Sequence, residues 1–397
     1  MNLENERVVI LSAVRTPVGR FGGSFKDTSA VSLGVVASEE ALKRAGIGSD
    51  QVDEVIFGQA RQAGNGPNPA RQILSKTGIP VERPAFTVNK ACASGLKAIS
   101  LGYQSLLMGE NKIVLVGGIE NMSQIPFLLD RARWGYRLGN GVLVDAMYRD
   151  GLFCPLAEMI MGETAEILAD KFSITRREQD EYALESQMRA KKAAEEGRFK
   201  EEIVPVRVKD SKGNEIVVTA DEHPRPDTTL EKLAKLPPVF RKDGTVTAGN
   251  SSGLTDGAAA LVLTTESCAN DLDLSPMAEI MGVTSAGVDP KEMGLGPVPS
   301  TLKLLKINKL YIEDIDLIEI NEAFAAQVLA VEKELKWDQD KRNIKGGAIA
   351  LGHPIGCTGA KISVTLLHSL GQENRELGLV TLCVSGGQGM SLLIKRL

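Results

Sequence analysis

The chain has 397 residues, of which 43% are hydrophobic and 24% charged, which is typical of an ordinary globular protein with room for two or three domains. A formal net charge of −5 with dispersed basic residues argues against a nucleic-acid partner. No apolar run approaches membrane-spanning length and no signal-peptide pattern precedes Val8, so we expect no membrane partner. Five cysteines without paired spacing indicate a reducing compartment. We therefore expect a cytoplasmic protein, although a mature organellar protein would look the same.

Strand-like runs alternate with helical patterns along the first part of the chain. Strands are predicted at 8–11, 54–57, 85–88 and 113–116, with helices over about 32–45 and from about residue 93 to 107. Strands that alternate with helices of this length indicate an α/β architecture with a buried sheet.

Cys92 is the first candidate for chemistry, because it lies among small residues where an extended segment gives way to an apolar helical pattern. If the helix begins near Ala93, free backbone N–H groups and the helix dipole lower the pKa of the thiol. The alternative is a buried, inert thiol, since free cysteine often behaves as a small hydrophobic residue.

A repeat links the two ends of the chain. Residues 41–60 align without gaps with residues 304–323, and the identical pairs are Leu42/Leu305, Lys43/Lys306, Asp53/Asp316 and Ala60/Ala323. Nearly the same spacing places Cys92 beside Cys357. Each of these cysteines opens a small-residue helix that leads to an apolar strand and a glycine pair. The sequence therefore predicts two duplicated halves of one topology.

The stretch from about residue 121 to 250 has a different character, with more charge, more proline and more irregular segments. One helix is clear within it, because Thr175 and Glu178 form a capping-box pattern and Gly197 can end the helix. We interpret this stretch as an excursion lying on the duplicated core, of the kind that shapes substrate pockets.

Three candidate segments for chemistry lie in the second half. Asn321 and Glu322 directly follow a predicted strand at 317–320, which suits a site at the edge of an α/β sheet, but asparagine there could equally be a helix cap. His353 lies in the glycine-rich segment 346–359, where the backbone can approach a ligand closely. That segment is not a phosphate-binding loop, because it lacks the Gly-Lys pair followed by Ser or Thr.

The third candidate segment, 383–390, begins with Cys383, although for Cys357 and Cys383 the alternative of a buried, inert residue stays open. Cys383 ends an apolar strand that opens into glycines, whereas Cys154 and Cys268 have no supporting context and are read as structural. His353 and Cys357 could form half a zinc site, but no other ligands stand at suitable spacing, so we expect no metal. A hydrolase of the Cys-His-Asn kind would use three of the candidates and leave Cys383 without a role.

Several motifs in a fixed order together resemble the thiolases, and the resemblance covers essentially the whole chain. They lie at residues 12–17, 89–95, 117–123, 247–253, 321–324, 352–356 and 383–389. The resemblance implies a five-layered α-β-α-β-α fold of two duplicated halves with an inserted loop domain. It also implies coenzyme A thioester chemistry, a role in fatty acid metabolism, no permanently bound cofactor, and a homo-oligomer (a dimer or a homotetramer). Acyl-CoA thioesters, coenzyme A and acetyl-CoA are then substrates.

The expected domains are an N-terminal half (1–121 plus 255–276), a loop domain (122–254) and a C-terminal half (277–397). By resemblance, Cys92 carries the acyl group, His353 takes its proton and Cys383 moves the proton of the α-carbon. Asn321, through a bound water, and His353 would stabilise the enolate. The backbone N–H groups of Cys92 and Ser385 would stabilise the tetrahedral intermediate. The residues that match positions for coenzyme A and the acyl group are Met161, Arg225, Phe240, Ala248, Ser252, Met293 and Phe324.

Two positions depart from the family pattern. Ser385 stands where the family usually has glycine, so the second oxyanion donor survives only if the local φ suits a side chain. Ile160 stands where short-chain biosynthetic members carry histidine, which leaves room for longer chains. We expect an acetyl-CoA C-acetyltransferase that condenses two acetyl-CoA reversibly. The alternatives are a broad-range degradative 3-ketoacyl-CoA thiolase and a non-catalytic acyl-CoA binding protein.

Overall fold

The computed structural model describes residues 6–210 and 212–397, so the first five residues of the expected N-terminal half lie outside it. The strands are β1 (Val8–Arg15), β2 (Gly19–Arg20), β3 (Glu54–Gly58), β4 (Ala85–Val88), β5 (Ile113–Asn121), β6 (Phe127–Leu128), β7 (Val144–Asp145), β8 (Phe153–Cys154), β9 (Met159–Ile160), β10 (Val206–Lys209), β11 (Glu215–Val218), β12 (Thr255–Thr265), β13 (Ala278–Gly287), β14 (Leu317–Ile320), β15 (Leu377–Val384) and β16 (Gln388–Arg396). The helices are α1 (Ala30–Ala45), α2 (Pro69–Lys76), α3 (Ser94–Leu107), α4 (Met161–Lys171), α5 (Arg176–Glu195), α6 (Leu230–Ala234), α7 (Glu266–Asp271), α8 (Pro297–Asn308), α9 (Ala325–Leu335), α10 (Ala348–Leu351) and α11 (Thr358–Gln372). Within the described ranges, every helix is too short or too polar to cross a membrane.

The main sheet contains the same arrangement of strands in its first half and in its second half. Its order is β14-β15-β16-β13-β1-β12-β5-β3-β4, and β2 pairs with β12. In the first half β3 lies parallel to β5, while β5, β12 and β1 run antiparallel in turn. In the second half β14 lies parallel to β15, while β15, β16 and β13 run antiparallel in turn. The predicted duplication is therefore confirmed by topology.

The halves join through the short pairing of Val9 and Ile10 with β13, and through a shared core. Helices α3 and α11 pack together between the two half-sheets, where side chains such as Val114 and Val116 face them. Ile113 and Leu115 alternate to the opposite face and pack with α1 and α2. Helices α8 and α9 cover the outer face of the second half. The layers are thus α-β-α-β-α, as expected.

Glycines let the two central helices approach closely near their N-termini. A Cβ on Gly95 of α3 would lie 2.9 Å from the backbone nitrogen of Ala360, and one on Gly359 of α11 would lie 2.5 Å from that of Leu96. Since real Cβ atoms do not approach backbone this closely, larger residues would push the helices apart. This crossing brings the segments that precede α3 and α11, which carry Cys92 and His353, to one place.

The inserted segment is anchored by a helix that begins as its sequence predicts. Thr175 and Glu178 form the capping box of α5, and Gly197 follows the helix with φ 69°. A buried ionic cluster also ties the insert to β1, because the Arg15 guanidinium lies 2.7 Å from both Glu202 and Asp221. The inserted segment therefore has a fixed position over the duplicated core.

Candidate active site

Cys92 is presented by a tight turn that directly precedes α3. Ala91 adopts a positive φ of 46°, and the Ser94 hydroxyl accepts from the Lys90 N–H at 2.9 Å and donates to the Ala91 carbonyl at 2.7 Å. The thiol is partly buried, between the central core and a smaller apolar cluster. The buried members of that cluster are Ala60, Met122, Met147 and Ile355.

The expectation that the helix terminus lowers the pKa of Cys92 is wrong for the free protein. Burial raises the pKa of the thiol, while the Arg61 charge and hydrogen bonds from the backbone N–H groups of Ser385 and Cys92 itself act in the opposite direction. Because desolvation outweighs these effects, Cys92 needs a base to become a nucleophile.

The strand end at β15 supplies the partners of Cys92. Cys383 is buried, and both that burial and the neighbouring Cys92 raise its pKa, so it is a protonated thiol at neutral pH. The Ser385 N–H points at the Cys92 sulfur. Ser385 does not have a positive φ, whereas Gly386 and Gly387 adopt φ values of 84° and 82°. A side chain at position 385 therefore fits without strain and keeps the N–H donor in place.

His353 is arranged as a neutral base. Its Nδ1 lies 2.6 Å from the Thr358 hydroxyl oxygen, and that hydroxyl donates to the Pro354 carbonyl at 3.0 Å. Since the hydroxyl proton is used there, Nδ1 carries the ring proton and Nε2 is left as an acceptor. Burial, with the charges of Lys361 and Arg61, lowers the pKa of His353 to about 3. The imidazole is thus uncharged and able to take a proton at Nε2.

Asn321 follows β14 and presents an amide without protein partners. The residue is fully buried, and neither its Oδ1 nor its Nδ2 makes a hydrogen bond. The alternative role as a helix cap is wrong, because α9 begins at Ala325 with Phe324 in the cap position. A buried amide that the protein leaves unpaired is suited to a bound water or a substrate oxygen.

Two buried carboxylates hold the loops that carry these groups. Glu322 accepts from Tyr182 and Ser186 of α5 and from Asn343 and the Ile349 N–H, at 2.7 to 3.0 Å. Glu322, the residue after Asn321, therefore fixes both the inserted segment and the histidine loop.

Glu120 is the second of these carboxylates, and it holds together loops from the two halves. It accepts from the backbone N–H groups of Ala60, Arg61 and Gly356, at 3.1, 3.1 and 2.8 Å, and burial raises its pKa to about 7. Sequence reasoning assigned no role to Glu120, Arg61 or Thr358. The signal for Glu120 was its place in the motif at 117–123.

The side chains expected to contact coenzyme A and the acyl group fall into three places. Met161, Phe240, Met293 and Phe324 form one apolar cluster with Cys383, in which the two phenylalanine rings meet edge to face at 5.9 Å. Arg225 and Ala248 lie apart from it, around a cavity of about 200 Å³. The Ser252 N–H joins the segment after Asn321, by donating to the Ala323 carbonyl at 3.0 Å.

Cys357, the counterpart of Cys92, is sealed inside the core. It is 1% exposed, and burial raises the pKa of its thiol to about 12. Across residues 6–210 and 212–397, no three side chains of His, Cys, Asp or Glu converge as a metal site would require.

Comparison with known proteins agrees with the geometry. The family model "Thiolase, N-terminal domain" matches residues 8–267, and "Thiolase, C-terminal domain" matches residues 274–396. A probable acetyl-CoA acyltransferase of Staphylococcus aureus is 51% identical over 98% of this chain and 99% of its own length. The crystal structure of the Bacillus anthracis acetyl-CoA acetyltransferase has a TM-score of 0.97 and 48% identity, with 99% of both chains covered. Human mitochondrial 3-ketoacyl-CoA thiolase has a TM-score of 0.95 and 42% identity, over 98% of this chain and 99% of its own. The chain belongs to the thiolase family.

Proposed function

We propose that the chain is an acetyl-CoA C-acetyltransferase, which condenses two acetyl-CoA molecules to acetoacetyl-CoA and coenzyme A and also catalyses the reverse thiolysis. The observation that carries the proposal is the pair of cysteines at one place. Lys90 Nζ donates to Gln388 Oε1 at 2.8 Å, which ties the turn before Cys92 to the strand that pairs with Cys383, and the buried Cys383 is a protonated thiol. A hydrolase needs one cysteine for the acyl group. A carbon–carbon bond-forming enzyme needs a second group to move a proton, and Cys383 supplies it.

In the first half-reaction, Cys92 becomes acylated. His353 takes the thiol proton at Nε2 while the sulfur attacks the thioester carbonyl. The developing oxyanion accepts from the N–H groups of Cys92 and Ser385. The tetrahedral intermediate expels the coenzyme A thiolate, which takes the proton of Cys383. This leaves acyl-Cys92, a protonated His353 and a Cys383 thiolate.

In the second half-reaction, the Cys383 thiolate removes a proton from the α-carbon of another acetyl-CoA. The enolate oxygen accepts from His353 Nε2–H and from a water held by Asn321. The enolate carbon attacks the acyl carbonyl on Cys92, and Cys92 leaves as a thiol with the proton of His353. Every group then returns to its starting protonation state, so the cycle is balanced.

For coenzyme A we propose a path that runs from the cavity around Arg225 and Ala248, past Ser252, to the cluster of Met161, Phe240, Met293 and Phe324. Arg225 suits the adenine or phosphate end, and the apolar cluster beside Cys383 suits the pantetheine and the thioester end of the acyl group. No permanently bound cofactor is part of this proposal.

A broad-range degradative 3-ketoacyl-CoA thiolase is the second candidate. The candidate rests on Ile160, a partly buried apolar residue that directly precedes Met161 of the Cys383 cluster. An apolar wall favours longer aliphatic chains over acetyl. Comparing thiolysis of acetoacetyl-CoA with that of longer 3-ketoacyl-CoA substrates separates the two.

We also propose the three-part division at residues 121, 254 and 276, a cytoplasmic location and a homo-oligomer, either a dimer or a tetramer. The pairing of β12 with β1 and β5 supports the assignment of 255–276 to the first half.

Segment 127–148 supports association, because Trp134 and Leu138 on it are 87% and 98% exposed. Sedimentation equilibrium tests the proposed homo-oligomer, and a monomer at micromolar concentration would refute that proposal.

One steady-state assay tests the proposed function. Purified protein is given acetoacetyl-CoA with and without free coenzyme A, and both the consumption of acetoacetyl-CoA and the production of acetyl-CoA are measured. We expect turnover only with coenzyme A, and a loss of turnover in Cys92→Ala. Turnover without coenzyme A would indicate a hydrolase, and no turnover at all would indicate a binding protein.

A further inference from the structure

Arg61 is a cation beside the reacting groups to which the proposed mechanism assigns no role. It lies three residues after β3, and its backbone is fixed, because its N–H donates to Glu120 and its carbonyl accepts from Gln59 at 3.1 Å. These backbone contacts of Arg61 therefore fix the position from which its side chain extends.

The guanidinium of Arg61 has only neutral partners. Its terminal nitrogens donate to the carbonyl oxygens of Gly151 at 2.8 Å and Ala60 at 3.3 Å, and its Nε is buried without a hydrogen-bond partner. Among the residues that the structure describes, no carboxylate lies within 4.0 Å of it. The nearby acids are engaged elsewhere, since Glu120 accepts three backbone N–H groups and Asp150 pairs with Arg149. Glu120 and Asp150 therefore act on the Arg61 charge only through space, and the guanidinium lacks the direct ion pair that a substrate carboxylate would supply.

The position of Arg61 relative to the acyl site follows from the apolar cluster on which Cys92 packs. Ala60 belongs to that cluster, and so does Leu152, the residue after the Gly151 carbonyl that Arg61 contacts. The cluster is distinct from the one that contains Cys383 and Met293. The Arg61 charge also lowers the pKa of both Cys92 and His353. An acyl chain attached to Cys92 and lying on this cluster would extend toward the segment that carries Arg61.

We propose that Arg61 binds a carboxylate at the far end of the acyl chain, so that the preferred substrates are short 3-ketoacyl-CoA thioesters of dicarboxylic acids. The two terminal nitrogens of Arg61 each use one hydrogen on a backbone carbonyl, which leaves their remaining N–H groups to donate to a carboxylate. The reaction itself is unchanged, and the product is a second CoA thioester that keeps its carboxylate. This inference rests on the proposed thiolase chemistry and changes the preferred acyl group on Cys92 from acetyl to a short carboxylate-ended chain, with acetyl-CoA still the second substrate.

Two substrates of equal length test the inference, 3-oxoadipyl-CoA and 3-oxohexanoyl-CoA, which differ in having a terminal carboxylate or a methyl group. We expect the wild type to cleave the carboxylate-ended substrate with a kcat/KM at least about tenfold higher, with most of the difference in KM. Equal values, or a preference for the methyl-ended chain, overturn the inference. A wild type that cleaves neither chain, nor acetoacetyl-CoA, refutes the proposed function instead.

Variants then assign the effect to this side chain. Arg61→Leu should lower kcat/KM for 3-oxoadipyl-CoA by about 10- to 100-fold relative to 3-oxohexanoyl-CoA, and Arg61→Lys should recover part of the preference. Arg177→Leu is the control, because Arg177 is an exposed residue of α5 paired with Glu181. An Arg61→Leu enzyme with the wild-type ratio of the two kcat/KM values overturns the assignment. If that variant fails to fold, the wild-type ratio and Arg61→Lys still decide.

Discussion

Cys92 and Cys357 hold corresponding places in the two halves, each just before a central helix, yet their surroundings differ completely. Cys92 is partly exposed and has the Ser385 N–H and the Arg61 charge beside it. Cys357 is buried in the core, and the pKa of its thiol is about 12. Position at a helix N-terminus therefore does not make a cysteine a nucleophile. The groups that converge on Cys92 from distant parts of the chain do.

The ends of the matching strands β3 and β14 differ in the same way. Gly58 ends β3, where a Cβ would overlap the backbone of Ser94, while Asn321 follows β14 with an unpaired amide. One half thus uses the position for close packing of α3, and the other uses it for chemistry. The nucleophile therefore lies in the first half of the duplicated fold, and the groups that move protons lie in the second half.

The largest effect is expected from exchanging the two cysteines for alanine in turn. Cys92→Ala should lower the rate of acetoacetyl-CoA thiolysis by at least about 10³-fold, because the covalent intermediate cannot form. Cys357→Ala should keep the rate within about threefold, since removing a buried sulfur leaves only a small cavity. A comparable loss of kcat in a folded Cys357→Ala enzyme would break the distinction between the halves.

Replacing Asn321 by glycine makes the second half resemble the first at this position. Asn321→Gly should lower kcat by about 10²-fold, as expected when a group that stabilises an enolate or oxyanion is lost, with little change in KM. Circular dichroism serves as the control for folding. A rate close to that of the wild type would show that the unpaired amide has no part in the chemistry.

The opposite change tests the packing role of Gly58. Gly58→Ala should destabilise the protein by about 3 kcal/mol, because the new Cβ meets backbone that cannot move aside. Gly371→Ala in α11, where a Cβ would meet nothing within 4 Å, should be neutral or stabilising by up to about 1 kcal/mol. Equal melting temperatures for the two variants would contradict this account.

The smallest effect concerns pH. Because burial holds the pKa of the Cys92 thiol above its ordinary value of 9.0, the thiolate fraction falls as the pH is lowered. The rate of alkylation of Cys92 by iodoacetamide should rise about tenfold between about pH 7 and 8, while Cys357 stays unlabelled. A plateau below about pH 8 would mean that the helix terminus outweighs burial after all.

The repeat made much of the fold predictable. Matching residues at 41–60 and 304–323 recur because both stretches form a helix, a turn and a strand with the same burial, and the strands β3 and β14 lie where this predicts. The candidate residues Cys92, Asn321, His353 and Cys383 were recognisable because each stands at a strand end or beside glycines. These are places where backbone geometry restricts the side chain.

Other features depend on contacts that no local pattern records. The raised pKa of Cys92 comes from burial by residues of both halves, and the neutral state of His353 comes from Lys361 and Arg61 as well as burial. The unpaired amide of Asn321 is visible only once its neighbours are known. Arg61 stood in the sequence as one arginine among many, since only the fold brings it to Cys92.

The most direct test of the central claim is to locate the acyl group on the enzyme. The protein is mixed with acetyl-CoA, quenched in acid and digested, and the acetylated peptide is identified by mass spectrometry. We expect the acetyl group on Cys92, with Cys357 and Cys383 unmodified and no acetyl-enzyme in Cys92→Ala. Acetylation of Cys357 or Cys383 in place of Cys92, or an active enzyme that carries no acetyl group, would contradict the account.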